Sequence, residues 1–141
     1  MAQPFIPKDL LDEPPSDAWT YVPNLGQNYD LAGHYRSDVL FSSVGTLPAI
    51  FLMKQNRIGI VVPELDPIDP SNSRINRVDL EFVETHNETS PALAEPTGHQ
   101  YNFYETYTPH GITGVQGGKR VVYKDVYPDI DVHMYSNRWG P

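Results

Sequence analysis

Apolar and polar side chains alternate most strictly over residues 77–84, RVDLEFVE. Val78, Leu80 and Phe82 fall on one side, Arg77, Asp79 and Glu81 on the other. A period of two predicts a half-exposed antiparallel strand. The same period runs through Ile130 to Ser136, where Ile130, Val132 and Met134 alternate with Asp131, His133 and Tyr135. A strand over Lys119 to Tyr127 precedes it, and Pro128-Asp129 breaks the two. Ala49 to Lys54, AIFLMK, is apolar almost throughout and predicts a buried strand. Gln55-Asn56-Arg57 suits a tight turn, and Ile58 to Val62 returns as its hairpin partner. Asp38 to Val44 and the aromatic-rich Gln100 to Tyr107 complete the predicted strands.

Between these stretches the chain is punctuated by loop chemistry: Asn24 to Gln27, Thr46 to Pro48, Pro63 to Ser73, Thr85 to Gly98 and Thr108 to Gly118. No segment sustains a helical period, and no internal repeat is present. Roughly seven strands between turn clusters predict an all-β fold, an antiparallel β-sandwich-like single domain. Its expected core includes Phe41, Ile50, Leu52, Ile60, Val78, Leu80, Phe82, Val122, Ile130, Val132 and Met134. Residues 1–23, with Pro4, Pro7, Pro14, Pro15 and Pro23, read as an extended Pro-rich N-terminal arm, and 24–141 as the domain. Phe5, Ile6, Trp19, Tyr21 and Val22 would hold the arm, as anchors into the protein's own core.

Composition narrows the function classes. The net charge is −8, from 18 acidic against 10 basic residues, so the molecule's field repels nucleic acid and anionic membrane surfaces. There are no cysteines, which removes disulfides and thiolate metal sites. No apolar run approaches the ~20 residues needed to span a bilayer as a helix.

Four groupings carry candidate chemistry. Asp129, Asp131 and His133 project from one strand face at period two, a spacing that offers a divalent metal two carboxylates and an imidazole. The bland alternative, the solvent face of an edge strand, is the better account, because three residues of one strand do not converge without help from a second. Glu64, Asp66, Asp69, Ser71 and Asn72 make an oxygen-rich loop with calcium-ligand chemistry, but its spacing is not that of an EF-hand. Gly114 to Lys119 superficially resembles a phosphate loop. Thr113 stands where a glycine is required, Arg120 replaces the Ser or Thr, and a strand follows instead of a helix, so the reading is rejected. The fourth grouping is aromatic: Tyr101, Tyr104, Tyr107 and Tyr135 are candidate ligand-binding rings. Such rings stack on sugars, although core or rim packing is the commoner use. No serine sits in a nucleophile elbow, and the five histidines show no paired metalloprotease spacing.

The run Val122 to Val132, VYKDVYPDIDV, followed by Tyr135-Ser136-Asn137, resembles a motif of large exported bacterial proteins. There a tyrosine-lysine-x-valine-tyrosine-proline-glycine-isoleucine-aspartate run marks an N-terminal domain of uncharacterised function. Asn24-Leu25-Gly26-Gln27 is similar to that family's asparagine-x-glycine-glutamine signature. Gln100 to Tyr104 sits at its asparagine-tyrosine-phenylalanine strand. Family members continue into SBBP-type β-propeller repeats and C-terminal sorting domains of the type IX secretion or gliding-motility kind. Asp129 departs from the motif by replacing its glycine. The stop at Trp139-Gly140-Pro141 is expected to mark an excised domain, a fragment or a short relative.

The resemblance implies a non-enzymatic structural or adhesive module of an exported, cell-surface-associated bacterial protein, with its export signal removed. No catalytic residue and no cofactor are expected. The expected partners are a protein or downstream domains of the same polypeptide, through an exposed sheet edge near the C-terminus, and surface glycans. The alternative is a carbohydrate-binding module using the exposed tyrosines.

Overall fold

The structure, a computed structural model, describes residues 20–30, 32–45, 50–85 and 88–135. They form eight antiparallel strands: β1 (Thr20–Pro23), β2 (Phe41–Val44), β3 (Ile50–Lys54), β4 (Arg57–Glu64), β5 (Arg74–Glu81), β6 (Pro91–Glu105), β7 (Thr108–Tyr127) and β8 (Ile130–Tyr135). All belong to one sheet in the order β5-β4-β3-β2-β1-β7-β6, with β8 also paired to β7. The long β7 is the spine. It pairs along its length with β6, and its other edge takes β1 at Gly118 and β8 from Arg120 to Tyr127.

The sandwich-like layering comes from this one sheet curling on itself. Four strand steps separate β7 from β4, about 19 Å in a flat sheet at ~4.8 Å per step. Yet the Tyr123 hydroxyl on β7 lies 2.8 Å from the Lys54 carbonyl and 3.2 Å from that of Arg57, at the β3–β4 turn. The Tyr127 hydroxyl likewise donates to Val83, at 2.8 Å. Only a curled sheet satisfies both. Inside the curl Tyr21, Phe51, Met53, Ile58, Val121, Tyr123 and Val126 form the core, with the Phe82 ring edge-on to Tyr123 at 5.1 Å. The apolar area removed from water there supplies the fold's main driving force.

Several expectations need correction. On β3 the buried apolar side chains are Phe51 and Met53, not Ile50, which is 40% exposed, or Leu52. An apolar run with no alternation does not reveal its inward parity. On β5 the parity is as expected but the burial is not: Val78 and Leu80 are 65% and 51% exposed. The strand lies at the sheet's end, past the reach of the curl. Ile130, beside the β7–β8 turn, is exposed too, whereas Phe41, Ile60, Phe82, Val132 and Met134 pack against the core and Val122 is buried.

The segment after Thr85 is not all loop, since β6 starts at Pro91. Both Pro91 and Pro96 are tolerated because β6 is an edge, paired among the described residues with β7 alone. Thr108 to Gly118 is the first half of β7, its strand character hidden by Gly111 and Gly114, which adopt φ of 75° and 69° where the register slips. Thr20–Pro23 is a strand between β2 and β7, with Tyr21 and Val22 fully buried. Phe5, Ile6 and Trp19, the Thr46 to Pro48 interruption and Ser136-Asn137 lie outside the described residues.

Candidate functional site

The connection from β1 to β2 is a loop folded over the outer face of the sheet, and two side-chain amides, the half-buried Asn24 and the buried Gln27, shape it. The Asn24 side chain donates to the carbonyls of Arg36 (2.9 Å) and Val39 (2.8 Å) while its oxygen accepts from the N–H of Gly26 (3.1 Å). Gln27, 6% exposed, accepts from the Leu25 N–H and donates to the Pro23 carbonyl, each at 2.7 Å. The two side chains thereby satisfy backbone groups that the strand ladder has left behind. This is the physical content of the asparagine-x-glycine-glutamine signature. The variable position, Leu25, points outward and is 60% exposed.

Farther along, the Asp30 carboxylate accepts from the N–H groups of His34 (2.9 Å) and Ala32 (3.0 Å). The His34 amide above all, with that of Ala32, holds the Asp30 carboxyl below the usual carboxylate range. This tight turn places Tyr29 and Tyr35 side by side, ring centres 5.6 Å apart. Tyr107, from the β6–β7 turn, stacks on Tyr29 at 5.0 Å and 24°. Gly33 makes that approach possible. Its φ is 83°, and a Cβ there would sit 2.9 Å from the Tyr107 ring.

Beside the rings the loop and sheet enclose an open groove of about 300 Å³. Val39, Ile50, Leu52, Val61 and Ile75 make its apolar floor, and Asp30, Arg36 and Arg77 supply charges at its rim. An apolar floor with a few placed polar groups is the ordinary chemistry of a binding surface.

A second cleft, of about 470 Å³, opens at the β3–β4 turn and is polar. Arg36 grips Asp38 with two bonds of 2.7 and 2.8 Å, and the Lys54 ammonium reaches the same carboxylate at 2.8 Å. The Arg36 guanidinium first, with Lys54 added, holds the Asp38 carboxyl far below its ordinary range against the opposing effect of burial. The charges are mutually spent. This cluster fixes the loop to the hairpin and offers no unpaired nucleophile.

The other sequence candidates are placed as follows. Asp131 accepts from the Asp125 N–H at 2.7 Å, Asp125 accepts from the Asp129 N–H at 3.2 Å, and His133 faces Arg120 at 3.3 Å. Asp129, Asp131 and His133 thus do not converge, and among the described residues no group of three metal-ligating side chains is assembled. In the acidic loop, Asp66 accepts from the Ile68 and Asp69 amides, and Asp69 caps the short 3₁₀ turn Pro70–Asn72 by accepting from Ser71. Those carboxylates shape their own loop.

The four tyrosines do not form one platform. Tyr101 lies against Gly117, Tyr104 covers Gly111, and Tyr135 lies 4.7 Å under the Arg120 guanidinium. Tyr107 joins an aromatic cluster with Tyr29 and Tyr35, two rings that the sequence pattern did not single out. Their signal was local: two tyrosines flanking an aspartate and a glycine spaced for a tight turn.

A family model described as a domain of unknown function (DUF7948) matches residues 21–139. No curated protein and no solved structure matches the chain.

Proposed function

The chain belongs to DUF7948, a family defined without a function, and from that premise we propose that it is a non-enzymatic adhesive module of an exported, surface-associated bacterial protein. One observation carries the reading: a groove with an apolar floor stands open beside the stacked pair Tyr29 and Tyr107, on a loop braced by the side-chain amides of Asn24 and Gln27. A braced loop presents its contacts without an ordering cost at binding, which is what a contact surface needs. The groove suits an apolar segment of a protein partner, or of a downstream domain of the same polypeptide. The longer context, with SBBP repeats and a type IX or gliding-motility sorting domain, is part of this proposal and rests on the Val122 to Val132 motif.

The test has two arms. The native protein is expected in the secreted or surface fraction, and labelled protein should bind the surface of the producing cells. Ile75→Asp, at the exposed edge of the groove floor, should reduce that binding at least several-fold without unfolding the protein. Native protein confined to the cytosol, or binding indifferent to Ile75→Asp, would overturn the reading.

A second reading, glycan binding, is favoured by the exposure of Tyr35 (46%) and Tyr107 (49%). It predicts saturable glycan-array binding that is lost in Tyr107→Ala, with Tyr104→Ala as the contrast, since Tyr104 stands apart from the cluster.

A further inference from the structure

Two strands lie at the ends of the sheet order, and they are unlike. The β6 edge carries Pro91 and Pro96, positive φ at Glu95 and Gly98, and repeated register slips against β7. Each of these blunts an edge against further pairing. By contrast β5, RINRVDLE, has no proline, no glycine and no positive φ, and it keeps an unbroken register of eight pairs with β4. Every residue of it is exposed, Ile75, Val78 and Leu80 among them. Among the described residues β5 pairs with β4 alone.

We propose that β5 is a self-association edge, pairing antiparallel with β5 of a second copy of this chain so that the sheet continues through both. The charge order along the strand selects the partner and the register. Arg74 and Arg77 lie in its first half, Asp79 and Glu81 in its second. In an antiparallel pair the basic half of one strand therefore meets the acidic half of the other. A two-fold axis perpendicular to the sheet keeps each face on its own side, so the residue at the axis faces its own copy.

Centring on Val78 sets Val78 against Val78 on one face and Arg77 against Asp79, twice, on the other. Shifting the axis onto Arg77 sets Arg77 against Arg77, and shifting it onto Asp79 sets Asp79 against Asp79, although Arg77 then meets Glu81 twice. A further step toward the C-terminus, onto Leu80, opposes Asp79 to Glu81. Like charges directly opposite are destabilising, so the Val78 register stands out. Within one chain Arg77 already bonds Asp79 at 2.8 Å. The pairing therefore closes an alternating ring of four charges. Because Arg77 and Ile75 also line the groove, the two grooves come to lie on the same face of the joined sheet.

Charge exchange tests this on the full chain, by sedimentation equilibrium across a concentration series. The unmodified protein is expected to associate to a dimer as concentration rises. Asp79→Arg alone opposes Arg77 to a second arginine, and Arg77→Asp alone opposes Asp79 to a second aspartate. Each should weaken dimerisation at least about ten-fold. Mixing the two variants restores both opposite-charge contacts, so the equimolar mixture should dimerise as the unmodified protein does. That recovery also shows that the single variants are folded. A protein that stays monomeric at high concentration overturns the proposal. So does a dimer that both single variants leave unchanged, or a mixture that fails to recover.

Discussion

The Tyr123 hydroxyl donates to the Lys54 carbonyl at 2.8 Å across 69 residues of chain, in a buried setting. This bond joins the spine strand β7 to the β3–β4 turn, and so fastens the curl. Burial of the ring also pushes the Tyr123 phenol well above its ordinary value of 10.0.

Removing that hydroxyl takes away the one O–H shared by the Lys54 and Arg57 carbonyls while the ring still fills its place beside Phe82. Tyr123→Phe should cost about 1–3 kcal/mol, the penalty for leaving a buried polar group unsatisfied. Urea unfolding should show a lower midpoint at unchanged slope. The raised phenol adds a pH signature. A folded-state value above the unfolded one contributes stability that is complete below the unfolded value near 10 and is lost as pH rises toward the folded one. The alkaline fall in stability should therefore be shallower in Tyr123→Phe.

Asn24 is the pivot of the β1–β2 loop, serving two carbonyls and the Gly26 amide. Asn24→Ala should cost about 1–3 kcal/mol through those unpaired groups. Its effect should concentrate in the loop. Amide exchange of Asn28, Arg36 and Leu40 should quicken strongly, with little change at the β7 core residues Val121 and Tyr123. Uniform quickening throughout would mean that the loop and sheet open together, contrary to this account.

Much of the fold was legible because β chemistry is local. Alternation located β5 and β8, and Gln55-Asn56 marked the β3–β4 turn, where Asn56 adopts a φ of 54°. Burial was not legible in the same way. Val78 and Leu80 alternate as core residues do, yet whether an apolar face is covered depends on where the strand falls in the sheet order. The site was harder still. Tyr29 and Tyr107 stack through a contact between a loop and a distant hairpin tip, and neither segment's pattern names the other. The Asn24 to Gln27 signature was visible, but its work is done on carbonyls up to fifteen residues away.

Asp38 predicts the acid behaviour. Its carboxyl is held below the unfolded value of 3.8, first by Arg36 and then by Lys54. The stabilisation is therefore complete above the unfolded value and is lost as pH falls through the folded one. Asp38→Asn should lower stability at neutral pH, where it leaves the nearly buried Lys54 ammonium without its carboxylate. It should also flatten the loss of stability below about pH 4. Thermal unfolding of both proteins from neutral pH down to pH 3 checks the convergence. Parallel curves would show that the Arg36–Asp38–Lys54 cluster contributes nothing to the acid limb.

The β7–β8 turn separates a structural from a metal-binding use of its carboxylates. Pro128 and Asp129 occupy its two central positions, and Asp129 has a φ of 61°, a left-handed conformation that glycine adopts without strain. The family motif's glycine and this aspartate therefore meet one backbone demand, with the Asp129 amide secured by Asp125. Asp129→Gly should be neutral or stabilising by up to about 1 kcal/mol, the relief of left-handed strain being offset by glycine's greater freedom when unfolded. Asp131→Ala should instead destabilise the hairpin by about 1 kcal/mol, because it strips the Asp125 amide of its acceptor. Calorimetric titration of the unmodified protein with calcium, zinc and manganese should give no binding tighter than millimolar at this turn, since the Asp125 and Asp131 carboxylates already serve backbone N–H groups. A micromolar site that disappears in Asp131→Ala would show that the carboxylates leave those amides for a metal, and the structural account of the turn would fall.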